Sequence, residues 1–320
     1  MLQHFFGLVY LLAVSQIVLF TGTHAAECPL QLNPQRVVVR YNGSVAVNCS
    51  TSVQHDGIGW EASEGAVPMS SSVNLITWRV SNLTEWDTEP FCFINTKGGG
   101  QCASYLPVTI YKTPDSVLIV NHTEPIKEGN QYELQCDVLN VAPVQNLTVK
   151  WYKGETLVDQ TTFTDTIKTP VNETVTLMIR PDRSDDGVQY RCEAELDLGE
   201  EGPQPPPKVT SDPLSVKVYY KPKHSSSNET INISNEVTLN CTVKANPPPT
   251  YTWDSEQLKE KITSSVLPSS KLSPGNYTCI ATNSQGSDRK VFIIKSTGSR
   301  PTFWTVLIFF QLLVALMIVI

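Results

Sequence analysis

Three times along this chain a cysteine is followed by a tryptophan and then by a second cysteine. Cys49, Trp60 and Cys92 form one set, Cys136, Trp151 and Cys192 the next, and Cys241, Trp253 and Cys279 the last, with cysteine separations of 43, 56 and 38. Two of the closing cysteines follow a tyrosine at one residue's remove, Tyr190-Arg-Cys192 and Tyr277-Thr-Cys279. Nothing else in the sequence restricts the fold as tightly. A cysteine pair at this spacing, with an indole between, fits two sheets packed face to face and stapled through their common core. The flanking residues agree. In Val237-Thr-Leu-Asn-Cys241-Thr-Val243 and in Val45-Ala-Val-Asn-Cys49 the apolar side chains share the parity of the cysteine, as a half-buried strand requires.

One such set is weak; three in series are the immunoglobulin signature of a bridge between strands B and F, a packing Trp on strand C and a tyrosine corner. The expected fold is all-β, with three tandem immunoglobulin-like β-sandwich domains spanning residues 28–112, 113–220 and 221–296. The two-residue period also explains why Asn48 and Asn240 can carry sugars beside a core cysteine: they point outward. Asn276, next to the inward Tyr277, does the same. Cys28 and Cys102 remain. First and last strands are neighbours in such sandwiches, so an additional bridge between them is expected in the first domain, free or intermolecular thiols being the alternative. Each bridge contributes about 2–4 kcal/mol, chiefly by restricting the unfolded chain. Gly98-Gly-Gly100 reads as a tight turn between strands F and G, and residues 199–207 as a long F–G loop of the second domain. Residues 224–228 read as a looser connection unless they begin the third domain's first strand.

The ends place these domains outside the cell. Residues 1–25 are an apolar secretory signal closing on small residues. Residues 303–320 carry no charge and reach the end of the sequence, behind a short stalk at 297–302. They read as a transmembrane helix or as the tail of a GPI-attachment signal. No Lys or Arg follows them, contrary to the positive-inside pattern, and that favours GPI modestly. Asn42, Asn48, Asn82, Asn121, Asn146, Asn172, Asn228, Asn232, Asn240 and Asn276 each begin an N-x-Ser/Thr sequon,. Eight cysteines behind a secretory signal imply disulfides,. The expected location is the extracellular face of the plasma membrane. A net charge of −7 with no basic run argues against nucleic acid,. No nucleophile-elbow, zincin or phosphate-cradling motif occurs, and His55, His122 and His224 are scattered. Neither an enzyme, a small-molecule substrate nor a resident metal is expected.

Residues 28–220 resemble the intercellular adhesion molecules, the immunoglobulin-type counter-receptors of leukocyte integrins. The resemblance is carried by Gly43-Ser-Val-Ala-Val-Asn-Cys49-Ser-Thr-Ser, Val80-Ser-Asn-Leu83, Glu89-Pro-Phe-Cys92-Phe and Tyr111-Lys-Thr-Pro114. In the second domain it is carried by Asn146-Leu-Thr-Val, Lys153-Gly-Glu-Thr-Leu157 and Cys192-Glu-Ala-Glu-Leu-Asp-Leu198. The family's first domains usually hold a second B–F bridge four residues after each main cysteine; here those positions are Val53 and Thr96.

The resemblance implies adhesion to an integrin on another cell, through an acidic residue near the end of strand C that completes the coordination of the integrin's Mg²⁺. The matching residue is Glu61, in Gly57-Ile-Gly-Trp-Glu61. Parity supports it: if Trp60 faces the core, Glu61 faces out from the sheet of strands C, F and G. Most outward glutamates are merely solvated, and parity alone does not separate the two cases. Glu64 is the next candidate, with Ser63 and Asn95 as neighbouring contacts. No cofactor of the chain's own is implied, since the Mg²⁺ belongs to the partner. Two rival readings are a GPI-linked homophilic adhesion molecule and an immune receptor for a non-integrin ligand.

Overall fold

A computed structural model describes residues 28–120, 125–233, 237–268, 270 and 272–296. The signal and anchor segments read from the sequence, the stalk and Asn121 lie outside these residues, and among the described residues no helix is long and apolar enough to cross a membrane. The described chain is almost entirely β, folded into immunoglobulin-like sandwiches, and falls into two compact units: residues up to Tyr111, with 199–202, and the remainder.

In the N-terminal sandwich the strands run β1 (Gln31–Asn33), β2 (Val37–Arg40), β3 (Val45–Ser50), β4 (His55–Glu61), β5 (Val67–Ser70), β6 (Leu75–Val80), β7 (Phe91–Thr96), β8 (Gln101–Tyr105) and β9 (Val108–Tyr111). One layer is ordered β1-β3-β6 and the facing layer β5-β4-β7-β8, while β2 runs parallel to β9. Between the layers Cys49 bridges Cys92, and the Trp60 and Trp78 rings pack 6.0 Å apart among Val47, Ile58 and Leu83. Cys28 is joined to Cys102, tying the first described residue to β8. The β7–β8 turn is closed by Thr96 N–H donating to the Gly100 carbonyl at 2.8 Å. Gly98 and Gly99 there take φ of 125° and 87°, which a residue with a Cβ resists,.

The larger unit contains β10 (Ser116–Val120), β11 (Ile126–Lys127), β12 (Tyr132–Val141), β13 (Leu147–Lys153), β14 (Thr156–Thr162), β15 (Val171–Ile179), β16 (Gln189–Leu196), β17 (Lys208–Thr210), β18 (Leu214–Ser215) and β19 (Val218–Tyr219). The layers are β10-β12-β15 and β14-β13-β16-β17, bridged by Cys136–Cys192 over a fully buried Trp151. Residues 197–207 connect β16 to β17. Then come β20 (Asn228–Asn232), β21 (Leu239–Asn240), β22 (Thr250–Asp254), β23 (Val266–Leu267), β24 (Gly275–Asn283) and β25 (Gly286–Lys295). Here Cys241 bridges Cys279 beside Trp253, Tyr277 and Phe292.

The tyrosine-corner expectation divides. The Tyr277 hydroxyl donates to the Ser273 carbonyl at 3.0 Å and accepts from Ser273 N–H at 2.8 Å. The Tyr190 phenol instead lies beside Lys153, which also pairs with the buried Asp185. Burial pushes the Tyr190 phenol up. The stretch read as loose, 224–228, is tied down at its start: His224 Nδ1 lies 2.9 Å from Asp288 Oδ2 and its Nε2 3.2 Å from the Cys241 carbonyl.

Candidate functional site

β4 carries the predicted site because its alternation is set by the core. Ile58 and Trp60 point inward, Trp60 with 1% of its surface exposed, and the chain then delivers Glu61 to the outer face at the strand's end. Glu61 is exposed, and among the described residues it has no hydrogen-bond or ion-pair partner. Its backbone is fixed nonetheless, since Glu61 is in register with Phe91 and Trp60 with Cys92.

The outer face around Glu61 is apolar. Phe91, Phe93 and Asn95 alternate outward on β7, and Tyr105, Ala103 and Gln101 face the same way on β8. Phe91 packs 5.2 Å from Tyr105 and 6.5 Å from Phe93. Tyr105 is 67% exposed and Met69, on β5, 53%. Two glycines shape this surface. A Cβ on Gly59 would lie 2.6 Å from Phe93 Cζ, and one on Gly57 2.4 Å from Met69 Cγ. Their bareness lets the phenyl ring and the thioether lie flat on β4, and so both glycines are buried although they face outward.

The other predicted contacts are placed differently. Glu64 is engaged: its carboxylate accepts from Thr84 N–H at 3.2 Å and from the Thr84 hydroxyl at 2.7 Å. Its backbone carbonyl accepts from the Trp78 indole at 2.8 Å. Ser63 donates to Thr88 Oγ1 at 3.3 Å. Asn95 shares the face of Glu61 but sits four residues along β7 from Glu61's partner, about 14 Å away at ~3.4 Å per residue, and its amide meets Met69 Sδ at 3.2 Å. The structure thus separates Asn95 from Glu61 and puts Phe91, Phe93, Tyr105 and Met69 between and beside them. Sequence reasoning missed those four. The signal was available, because residues 91, 93 and 95 have the parity opposite to Cys92.

An exposed carboxylate of this kind is a hard oxygen ligand for a cation that retains an open position. Among the described residues no basic side chain pairs with it, and the apolar strip would exclude water from the rim of a contact,. The sequons are also distributed unevenly. Asn48 lies on β3, Asn42 in the β2–β3 turn and Asn82 just after β6, with the Asn82 amide donating to Asn42 Oδ1 at 3.1 Å. Asn48 belongs to the layer opposite Glu61, and Asn42 and Asn82 to the turns that flank β3 and β6 of that layer. None lies on β4, β5, β7 or β8.

Residues 26–116 match the family described as "Intercellular adhesion molecule (ICAM), N-terminal domain". The chain carries the N-terminal domain of the intercellular adhesion molecules. Behind that ICAM domain, residues 116–203 match the immunoglobulin I-set domain and residues 221–295 an immunoglobulin domain. Intercellular adhesion molecule 1 of Pan troglodytes is 31% identical over 193 residues, covering 58% of this chain and 34% of that protein. Intercellular adhesion molecule 1 of Homo sapiens is 29% identical over 187 residues, covering 58% and 33%. Intercellular adhesion molecule 3 of Homo sapiens is 26% identical over 186 residues, with the same coverage of 58% and 33%. The chain therefore spans about a third of the length of the curated relatives it matches. Among solved structures, the ICAM-5 D1–D4 ectodomain fragment aligns with TM-score 0.50 and 18% identity, covering 83% of this chain and 76% of that one. The full ectodomain of mouse nectin-like molecule 4 aligns with TM-score 0.52 and 19% identity, covering 82% and 98%. These two likenesses speak to fold alone.

Proposed function

We propose that this chain is a cell-surface adhesion glycoprotein, built of three tandem immunoglobulin-like domains and anchored through residues 303–320, that serves as a counter-receptor for a leukocyte integrin. Glu61 supplies the carboxylate that completes the coordination of a Mg²⁺ held by the integrin, and Phe91, Phe93, Tyr105 and Met69 surround the contact. The observation that carries this reading is Glu61 itself, exposed, without a partner and fixed at the end of β4 on the sequon-free layer of the ICAM-type domain.

The test is adhesion of integrin-bearing leukocytes to the full chain in Mg²⁺, with and without chelator. Glu61→Gln keeps the shape and removes the charge, and it is expected to abolish the chelator-sensitive part of binding. Undiminished binding by a correctly folded Glu61→Gln protein overturns the assignment. Aggregation of beads carrying the ectodomain, persisting in chelator, would instead establish homophilic adhesion through the apolar layer. Release from cells by phosphatidylinositol phospholipase C separates a GPI anchor from a helix.

A further inference from the structure

The segment leading out of β18 alternates with unusual regularity. Val216, Val218, Tyr220 and Pro222 are buried, whereas Lys217, Lys221 and Lys223 are exposed and Tyr219 is half-buried. β11 runs parallel to β19, and Lys127 is in register with Tyr219, so a fourth exposed lysine joins the same outward face. Lys217 to Lys223 spans about 20 Å of near-extended chain. The Lys221 stem is held near the β24–β25 turn, its Cδ lying 3.5 Å from where a Cβ on Gly286 would stand.

Among the described residues none of these four ammonium groups has an ion-pair partner. Two acids beside the line, Glu128 next to Lys127 and Asp186 at the Val218 backbone, are engaged elsewhere. Glu128 receives Arg183 in a two-pronged pair at 2.9 Å on each side, and Asp186 accepts from Val218 N–H at 3.0 Å and from the Asn246 amide at 3.1 Å. In a chain of net charge −7, an un-neutralised line of four lysines is a concentrated exception. It is hidden in the sequence as a basic run because every second residue is buried.

We propose that this lysine line binds a linear sulfated polysaccharide of the cell surface or matrix. A flexible polyanion laid along the odd-numbered face meets one ammonium group every second or fourth residue, and the displaced counterions drive association. The choice of polysaccharide over nucleic acid follows from the ring available. Binding single-stranded nucleic acid requires open aromatic faces on which bases stack. Here the Tyr219 ring is half-buried and capped by the Lys217 ammonium, 5.4 Å from its centroid. Lysines without arginine forks offer point charges suited to sulfate groups rather than planar recognition.

The test uses the full glycosylated chain solubilised from expressing cells, with immobilised heparin as the probe and chelator present throughout. With four lysines engaged, log affinity should fall against log salt with a slope of about 3, so a fourfold rise in salt weakens binding roughly 50-fold. The Lys217→Gln/Lys221→Gln/Lys223→Gln protein should show a slope below 1 and lose only about threefold over the same range. All three positions are exposed, and an unchanged thermal midpoint and unchanged chelator-sensitive adhesion confirm that the variant is folded. Elution of the triple variant at the parent's salt concentration overturns the proposal. So does equal, lysine-dependent retention on single-stranded DNA, or equal retention on desulfated heparin. Glu61→Gln should leave heparin binding intact, so this result is read independently of the integrin contact.

Discussion

Glu61 and Glu64 lie three residues apart and carry the same charge, yet Glu64 is engaged by Thr84 while Glu61 has no partner among the described residues, and a paired substitution tests the duties proposed for them. Among the described residues the Glu61 side chain has no hydrogen-bond or ion-pair partner, so Glu61→Ala should leave folding stability within about 0.5 kcal/mol of the parent, as for other surface positions,. Glu64 holds Thr84 by two hydrogen bonds to a carboxylate, 3.2 and 2.7 Å long. Buried charged hydrogen bonds are worth about 1.5–3 kcal/mol each. Both bonds here are solvent-exposed, so water recovers most of that, and a combined loss of about 1 kcal/mol is the reasonable figure. For a domain of this size 1 kcal/mol corresponds to roughly 4–8 °C in Tm. Thermal melts followed by near-ultraviolet circular dichroism, beside leukocyte adhesion in Mg²⁺ with and without chelator, should therefore cross over. Glu64→Ala lowers the melting point of the N-terminal sandwich and retains chelator-sensitive adhesion below that temperature. Glu61→Ala retains the melting point and loses adhesion. A Glu64→Ala protein that melts with the parent but no longer adheres would refute the reasoning, because Glu64 would then be the ligand.

Lys97→Thr converts Asn95-Thr96-Lys97 into a sequon on the Glu61 layer; a glycan there should block adhesion, while Asn42→Gln, Asn48→Gln and Asn82→Gln together should not, with gel mobility reporting occupancy. Gly59→Ala drives a methyl group against the far end of Phe93. Adhesion should weaken severalfold while Tm falls by a few degrees, since the Phe93 ring can swing aside and the Met69 Cα, 3.3 Å from the added methyl, has to give only slightly. Cys28→Ser/Cys102→Ser opens a 74-residue loop and should cost roughly 3–4 kcal/mol in a urea melt of the N-terminal sandwich,. The Lys150 and Lys208 ammonium groups hold the Glu195 carboxyl below its usual value of 4.5. Its folded value is the depressed one, so its stabilisation is fully present above pH 4.5 and is lost as pH falls through the lower folded value,. Lys150→Met should accordingly flatten the acid limb of the stability curve of the larger unit, and an unchanged limb would show the pair to be inert.

The parts of the fold legible in the sequence were those enforced by the core. Cysteine, tryptophan and the two-residue period place Trp60, Trp151 and Trp253 inside and Asn48, Asn240 and Asn276 outside, because a one-residue slip would invert every side chain at once. Trp78 escaped notice although it is as deeply buried as Trp60. It lies on β6 outside the cysteine–tryptophan pattern, and its indole N–H is satisfied only by the Glu64 carbonyl fourteen residues earlier, a contact that no spacing rule announces. That same contact ties down the backbone of the turn in which Glu64 sits, while its carboxylate is held separately by Thr84.

The surface was harder to read than the core because its character depends on what covers a glycine. The sequence places Gly57 and Gly59 beside Glu61 but does not say what lies over them. In the structure they are the floor on which Met69 and Phe93 lie, and the open strand becomes an apolar plate. The equivalent layer of the larger unit solves the same geometry with charge: Lys150, Glu195, Lys208, Glu193 and Arg191 form a self-paired ladder across β13, β16 and β17. A ladder that satisfies itself has little to gain from a partner, because docking would strip water from charges already matched. The apolar plate with its lone carboxylate has everything to gain, since both the rings and the unpaired acid are stabilised only when another surface arrives. That difference between two layers of the same architecture is what supports the proposal that adhesion runs through Glu61.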